Sequence, residues 1–123
     1  MRAVIAVNNL GYVGLDGELP WRNLADFKHF KKLTMGAELL VGYNTLQKLP
    51  PLKGRTVIED KRGYFMPVTD SVWCIGGKKT YEKYAHQFSE LHISHIDNNN
   101  IGDTMFPDLK NLSPDCKIFN YNF

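Results

Sequence analysis

Cysteine is scarce in this chain, so the chemistry that depends on it can be set aside first. Of 123 residues only Cys74 and Cys116 are cysteines, and they follow no metal-ligand spacing. Neither a metal site nor a disulfide framework is indicated, and Cys74, inside an apolar run, reads as a small core residue. Long hydrophobic runs are absent as well. The opening "MRAVIAVNN" has five apolar residues before Asn8, too few for a signal-peptide core, and no later segment approaches membrane-spanning length. A cytoplasmic protein with no membrane partner is expected. Nor is there a block of like charge: the net charge is +2 without a basic stripe, which argues against nucleic acid as a partner. No internal repeat or low-complexity tract is visible.

What remains is ordinary globular composition, 43% hydrophobic and 23% charged, at a length that fits one domain over residues 1–123. The segment "AVIAV", residues 3–7, is apolar on both faces and β-branched, as in a strand buried between layers. The stretch "NNLGYVGLDGELPW" reads as a long irregular loop, and a loop of that length in a small domain is often functional. From Asn23 the period turns helical, with Leu24, Phe27, Phe30 and Leu33 apolar and Gly36 as a stop, which predicts a helix over 24–35.

"ELLVG" then reads as a short strand, "YNTLQKL" as a short helix and "RTVIED" as another strand. "SVWCIGG" is a further strand, and in the helix after it Tyr81, Tyr84, Ala85 and Phe88 recur on one face. "ELHISHID" alternates, with Leu91, Ile93 and His95 opposite His92, Ser94 and Ile96, and "DCKIFNYNF" closes the chain as a terminal strand. Strands alternating with helices predict an α/β fold with a largely parallel sheet.

One acidic residue stands out. Asp26 lies among Trp21, Phe27 and Phe30 in "ELPWRNLADFKHF". With Asn23 as N-cap it is the third helical position, where a carboxylate can cap and gains from the helix dipole. Alternatively it sits in an apolar pocket that raises its pKa for acid chemistry. Caps are common and catalytic acids few, so the local sequence by itself favours the cap.

Taken together and in order, several stretches resemble the dihydrofolate reductase family. "IAVNNLGYVGLDGELPW" resembles its opening strand and active-site loop, "LADFKHFKKLT" its first helix and "LLVGYNT" its second strand and helix start. "LKGR" resembles its substrate-carboxylate turn, "CIGGKKTYEKY" its double-glycine cofactor turn and "HISHIDNNNIGDTMFP" its late strand and loop. The resemblance implies a three-layer fold, a central mostly parallel sheet flanked by helices, and reduction of dihydrofolate to tetrahydrofolate by hydride from NADPH. Dihydrofolate and NADPH are then the partners, with the chain a monomer or, if a sheet edge needs cover, a dimer.

Carried over by position, the resemblance makes Asp26 the pocket acid that pairs with the pterin and favours its protonation, with Trp21 reaching the ring through water and Tyr81 near the nicotinamide. Ile5, Ala6, Phe27, Phe30, Leu49, Leu52, Ile75 and Ser94 would line the substrate pocket, and Arg55 would grip the glutamate α-carboxylate through two parallel hydrogen bonds. Val7, Gly14 and Leu19 would meet the nicotinamide. Gly42, Tyr43, Asn44 and Thr45 would lie along the cofactor phosphates with Gly76 and Gly77, whose shared peptide the family makes cis, and with Lys78 and Lys79.

The sequence departs from the family in two places. Between Arg55 and Gly76 only "TVIEDKRGYFMPVTDSVWCI" stands where more strand and helix carry the adenosine pocket, and Tyr43 replaces a usual basic residue, with Lys61 and Arg62 as substitutes. After "MFPDL" the usual pair of long strands is cut to one. This compactness suggests a short, phage-type member. Two rival readings keep the fold: a non-catalytic folate-binding or structural descendant, or a reductase of another pterin-like or pyrimidine substrate, for which Arg55 would have no glutamate tail to hold.

Overall fold

A computed structural model describes residues 1–123. Its elements in chain order are β1 (Arg2–Asn8), β2 (Tyr12–Gly14), α1 (Leu24–Thr34), β3 (Glu38–Gly42), α2 (Tyr43–Leu46) and β4 (Thr56–Asp60). They continue with β5 (Val72–Cys74), α3 (Lys78–Tyr84) and a 3-10 turn at Ala85–Gln87, then β6 (Glu90–Ile96), β7 (Thr104–Met105) and β8 (Lys117–Asn122). Six strands form one sheet in the order β4-β3-β5-β1-β6-β8, and every pairing in it is parallel. All these strands therefore end on the same side, where loops collect into a site.

β1 lies in the middle, as its two-faced apolar sequence requires. Ala3 and Ile5 pack with Leu40, Cys74, Tyr81, Tyr84, Phe88 and Leu91 on the α3 side. Val4 packs with Leu39 and Trp73 on the α1 side, joined by Phe30 and Leu33. The helical face read from Tyr81, Tyr84, Ala85 and Phe88 is buried throughout, and Phe88 is 1% exposed. Its replacement by alanine should cost about 3–5 kcal/mol. Cys74 is fully buried, and burial pushes its thiol up to about 12, which leaves it an inert core group.

The structure corrects several boundaries. The loop after β1 is not wholly irregular: β2 pairs antiparallel with β7 in a small separate sheet, and Leu15 bridges Glu18. A three-residue strand with intermediate burial leaves too weak an alternation to read. The second helix stops at Leu46 rather than running on to Leu49, and the strand before the double glycine covers only Val72–Cys74. On α1 the inward strip is Asp26, Phe30, Leu33 and Thr34, whereas Leu24 and Phe27 are 76% and 47% exposed. The apolar stripe predicted from Leu24 and Phe27 is rotated outward, because the face toward the sheet also accommodates a carboxylate. β8 is a lone edge strand, parallel to β6, with its outer side unpaired.

Candidate active site

The registers of the sheet set out the pocket floor. Val4 stands beside His92 and Ala6 beside Ser94, while β8 adds Phe119 next to His92 and Tyr121 next to Ser94. Above this floor α1 starts with Asn23 as its N-cap, whose Oδ1 accepts from the Asp26 backbone N–H at 3.0 Å. The Asp26 carboxylate makes no return bond to the cap and pairs with no cation. The cap is therefore the work of Asn23, and the Asp26 side chain, 8% exposed, is left for something else.

Burial pushes the Asp26 carboxyl up from its ordinary value, while the Ser94 hydroxyl and His29 offset part of the rise. Ser94 Oγ lies beside the carboxylate but outside hydrogen-bond geometry, and it is buried without a partner. Trp21, 8% exposed, likewise buries an indole N–H with no acceptor. Buried polar atoms are almost always paired. A carboxylate, a hydroxyl and an indole N–H left unpaired in one small domain point to a polar ligand or to water.

The walls are apolar. Phe30, Leu52 and Ile75 pack on the cluster of Val4, Leu39 and Trp73, Leu49 is partly buried, and Phe27 is 47% exposed. Ile5 points its side chain into the opposite core, so only its backbone can serve the pocket. Arg55 is set by neighbours on two sides: its Nε donates to the Lys53 carbonyl at 3.1 Å and its Nη1 to Thr34 Oγ1 at 3.4 Å. Its guanidinium lies 5.8 Å from the centre of the Phe30 ring, and it forms no ion pair with a carboxylate. The Tyr81 hydroxyl donates to the Val4 carbonyl at 2.6 Å, and burial holds its pKa well above the usual phenol value. The Tyr81 hydroxyl is thus taken up by the backbone of β1.

Beside this pocket the backbone is bare. Gly42 N–H donates to the Gly76 carbonyl at 2.7 Å, and the Gly76–Gly77 peptide is cis. A Cβ on Gly42 would fall 2.6 Å from Thr80 Oγ1, and one on Gly77 would fall 2.9 Å from Thr45 Oγ1. Gly76 has φ +111 and meets the Tyr81 ring. Tyr43, Asn44, Lys78 and Lys79 surround this cradle as exposed residues. Leu19 is 51% exposed in the loop, whereas Gly14 in β2 lies against Thr104 and Val7 is buried in β1.

A match to the family model for dihydrofolate reductase covers residues 1–64 and 59–113. The chain belongs to the dihydrofolate reductase family. It is 28% identical over 131 residues to dihydrofolate reductase type 9 of Escherichia coli, spanning 85% of this chain and 74% of that one. It is 27% identical over 142 residues to the dihydrofolate reductase of Buchnera aphidicola, spanning 98% and 84%. Among solved structures, an Enterococcus faecalis dihydrofolate reductase complexed with NADP(H) superposes with a TM-score of 0.76 at 25% identity, over 89% of this chain and 77% of that one.

Within this dihydrofolate reductase fold, three further residues emerge that the linear reading missed. Asn8 is 6% exposed and pins the loop, accepting from Leu10 and Tyr12 N–H and donating to the Asn100 carbonyl at 2.7 Å. Asn100 in turn donates to the Pro20 carbonyl at 2.7 Å. Thr80 packs its hydroxyl where a side chain on Gly42 would be. The third is His29, which shares the inner side of α1 with Asp26; its sequence signal was only that it stands three residues further on. The segment from Lys61 to Ser71 holds no helix or strand, and all of it but Met66 is exposed.

Proposed function

We propose that this family member reduces 7,8-dihydrofolate to tetrahydrofolate with hydride from NADPH, Asp26 orienting the pterin and favouring its protonation. One observation carries the reading: a buried carboxylate without a cation, beside a buried hydroxyl without a partner, where α1 meets the ends of β1 and β6. A pterin edge offers a ring N–H and an amino group to such a pair. Charge-assisted bonds from them to Asp26 would hold the ring in one orientation. The raised proton affinity of the buried carboxyl keeps a proton close to the ring nitrogen that must receive it. Phe27, Phe30, Leu49 and Leu52 exclude water, and Arg55, free of any carboxylate partner, takes the carboxylate of the glutamate tail.

The glycine cradle fits the diphosphate of a dinucleotide. Gly42, Gly76 and Gly77 leave room where any side chain would collide, and the Thr45 hydroxyl lies at its edge. Lys78 and Lys79 add positive charge. The cofactor supplies the hydride. This chain's residues align the two rings, with Ala6 and Val7 at the strand edge and Gly14 and Leu19 in the loop above. A non-catalytic descendant would have little reason to keep Asp26 ionisable in a buried site, where the charge opposes folding. Steady-state oxidation of NADPH with dihydrofolate tests the reaction; binding of folate without turnover would refute it. Activity on a pterin lacking a glutamate tail, equal to that on dihydrofolate, would move the substrate assignment.

A further inference from the structure

The strand order fixes where each end of a bound dinucleotide would lie. From one edge it runs β4, β3, β5, β1, β6. The pocket acid sits where α1 meets the ends of β1 and β6, and the glycine cradle bridges β3 and β5, the Gly42 N–H donating to the Gly76 carbonyl at 2.7 Å. With the hydride-bearing ring at the first and the diphosphate in the second, the remaining nucleoside extends toward β4, whose Asp60 stands in register with Gly42. There a 2′-phosphate is the whole difference between NADPH and NADH.

A phosphate monoester is gripped tightly by a fixed cation with donors to spare, best of all by an arginine fork. The end of β4 offers neither. Lys83 reaches it, but its Nζ donates to the two Asp60 carboxylate oxygens at 2.9 and 3.2 Å and to the Tyr64 carbonyl at 2.6 Å. All three of its N–H bonds are spent. Asp60 in turn accepts from the Tyr84 hydroxyl at 2.8 Å, so this cluster is neutral and closed on itself. Lys61 and Arg62 are exposed and form no ion pair, and the half-buried Glu59 beside them sets a carboxylate without a cation against any phosphate. Tyr43, which follows Gly42, is 60% exposed and brings no charge. Lys78 and Lys79 follow Gly77 and belong to the diphosphate.

We propose that this chain discriminates only weakly between the two dinucleotides and takes hydride from NADH as well as from NADPH, with Lys61 and Arg62 supplying what preference there is as exposed point charges. This rests on the reading of the glycine cradle as the diphosphate site. The reaction balances alike for either donor: the hydride leaves the nicotinamide, a proton joins the pterin, and the 2′-phosphate takes no part. Exposed cations contribute little and are screened by salt, whereas a fixed, enclosed fork would be screened far less.

The test is a fluorescence titration of the full chain with NADPH and with NADH, at low and raised salt, beside steady-state turnover of dihydrofolate with each. NADPH should bind more tightly than NADH by less than about tenfold, and kcat/KM should follow the same ratio. Raising the salt from about 0.05 to about 0.5 M should bring the ratio close to one, because the Debye length shrinks. Lys61→Ala combined with Arg62→Ala should do the same at low salt. An NADPH preference above about tenfold, or one that persists at high salt, overturns the proposal and leaves the cradle as the diphosphate site. Binding of neither dinucleotide by a chain that still binds folate refutes the cradle as a cofactor site, and the proposal with it.

Discussion

On one side of the glycine cradle, α1, β1 and β6 enclose Asp26 and Ser94, at 8% and 1% exposure, with no protein partner for either side chain. On the other side, residues 61–71 cross from β4 to β5 without regular structure and almost wholly in solvent. What secures that second region is local: Asp60 receives Lys83 Nζ at 2.9 Å and the Tyr84 hydroxyl at 2.8 Å, and Lys83 also donates to the Tyr64 carbonyl at 2.6 Å. The difference follows from what the proposed function asks of each end. Tuning a carboxyl and orienting a ring need a dry, rigid enclosure. On that reading, a phosphate or a ribose at the second end can be held by surface charge and bare backbone at modest affinity.

The sharpest test of that contrast is at the enclosed end. Asp26→Asn should lower kcat/KM at neutral pH by about 10²–10³-fold, in the range of a lost general acid with its orienting bonds. Full retention of turnover by this variant would end the role assigned to Asp26. The same variant should melt about 2–4 °C higher near pH 7. The sign follows from the raised folded-state pKa of Asp26: its contribution to stability is fully present below the ordinary carboxylate range and is lost as pH rises through the raised value. The gain should therefore vanish in acid, which calorimetry across pH would read.

Gly77→Ala comes next. Its Cβ would press on Thr45 Oγ1, and NADPH affinity by fluorescence titration should fall about 10–100-fold with folate binding kept, since the clash lies in the cradle and not in the pocket. Wild-type NADPH affinity in this variant would remove the cradle from the cofactor site. Arg55→Lys should raise the KM for dihydrofolate about tenfold with kcat nearly unchanged, as a point charge replaces a two-bond fork. An unchanged KM would place the glutamate tail elsewhere. Smallest of all, removing Lys61 and Arg62 together should change the KM for NADPH by less than about threefold, since exposed charges contribute weakly. A tenfold loss would mean that the trimmed end is better built than its exposure suggests.

The sheet was legible because its strands are short apolar runs set between helical periods, and every principal strand and helix lies where those runs predicted it. The rotation of α1 was not. Counting apolar residues chose the stripe through Leu24 and Phe27, whereas the inward strip includes Asp26 and leaves those two in solvent. A buried acid breaks the rule that hydrophobic faces point inward, and it is at functional sites that such a break is expected. The small β2–β7 sheet went unread because its strands are two and three residues long.

Local sequence alone determined that a carboxylate would stand in the first turn of a helix, that a double glycine would end a buried strand, and that an arginine would follow a glycine turn. Residue order along the chain also carried the family. Only the tertiary structure decided that the Asp26 side chain would leave the cap and be buried, that Ser94 and Trp21 would be buried without partners, and that the His29 Nε2 would be enclosed beside Tyr121 and Phe123. Those outcomes depend on which groups from distant parts of the chain exclude solvent from one another. Desolvation is a property of the assembled surroundings, not of any residue or its neighbours in sequence.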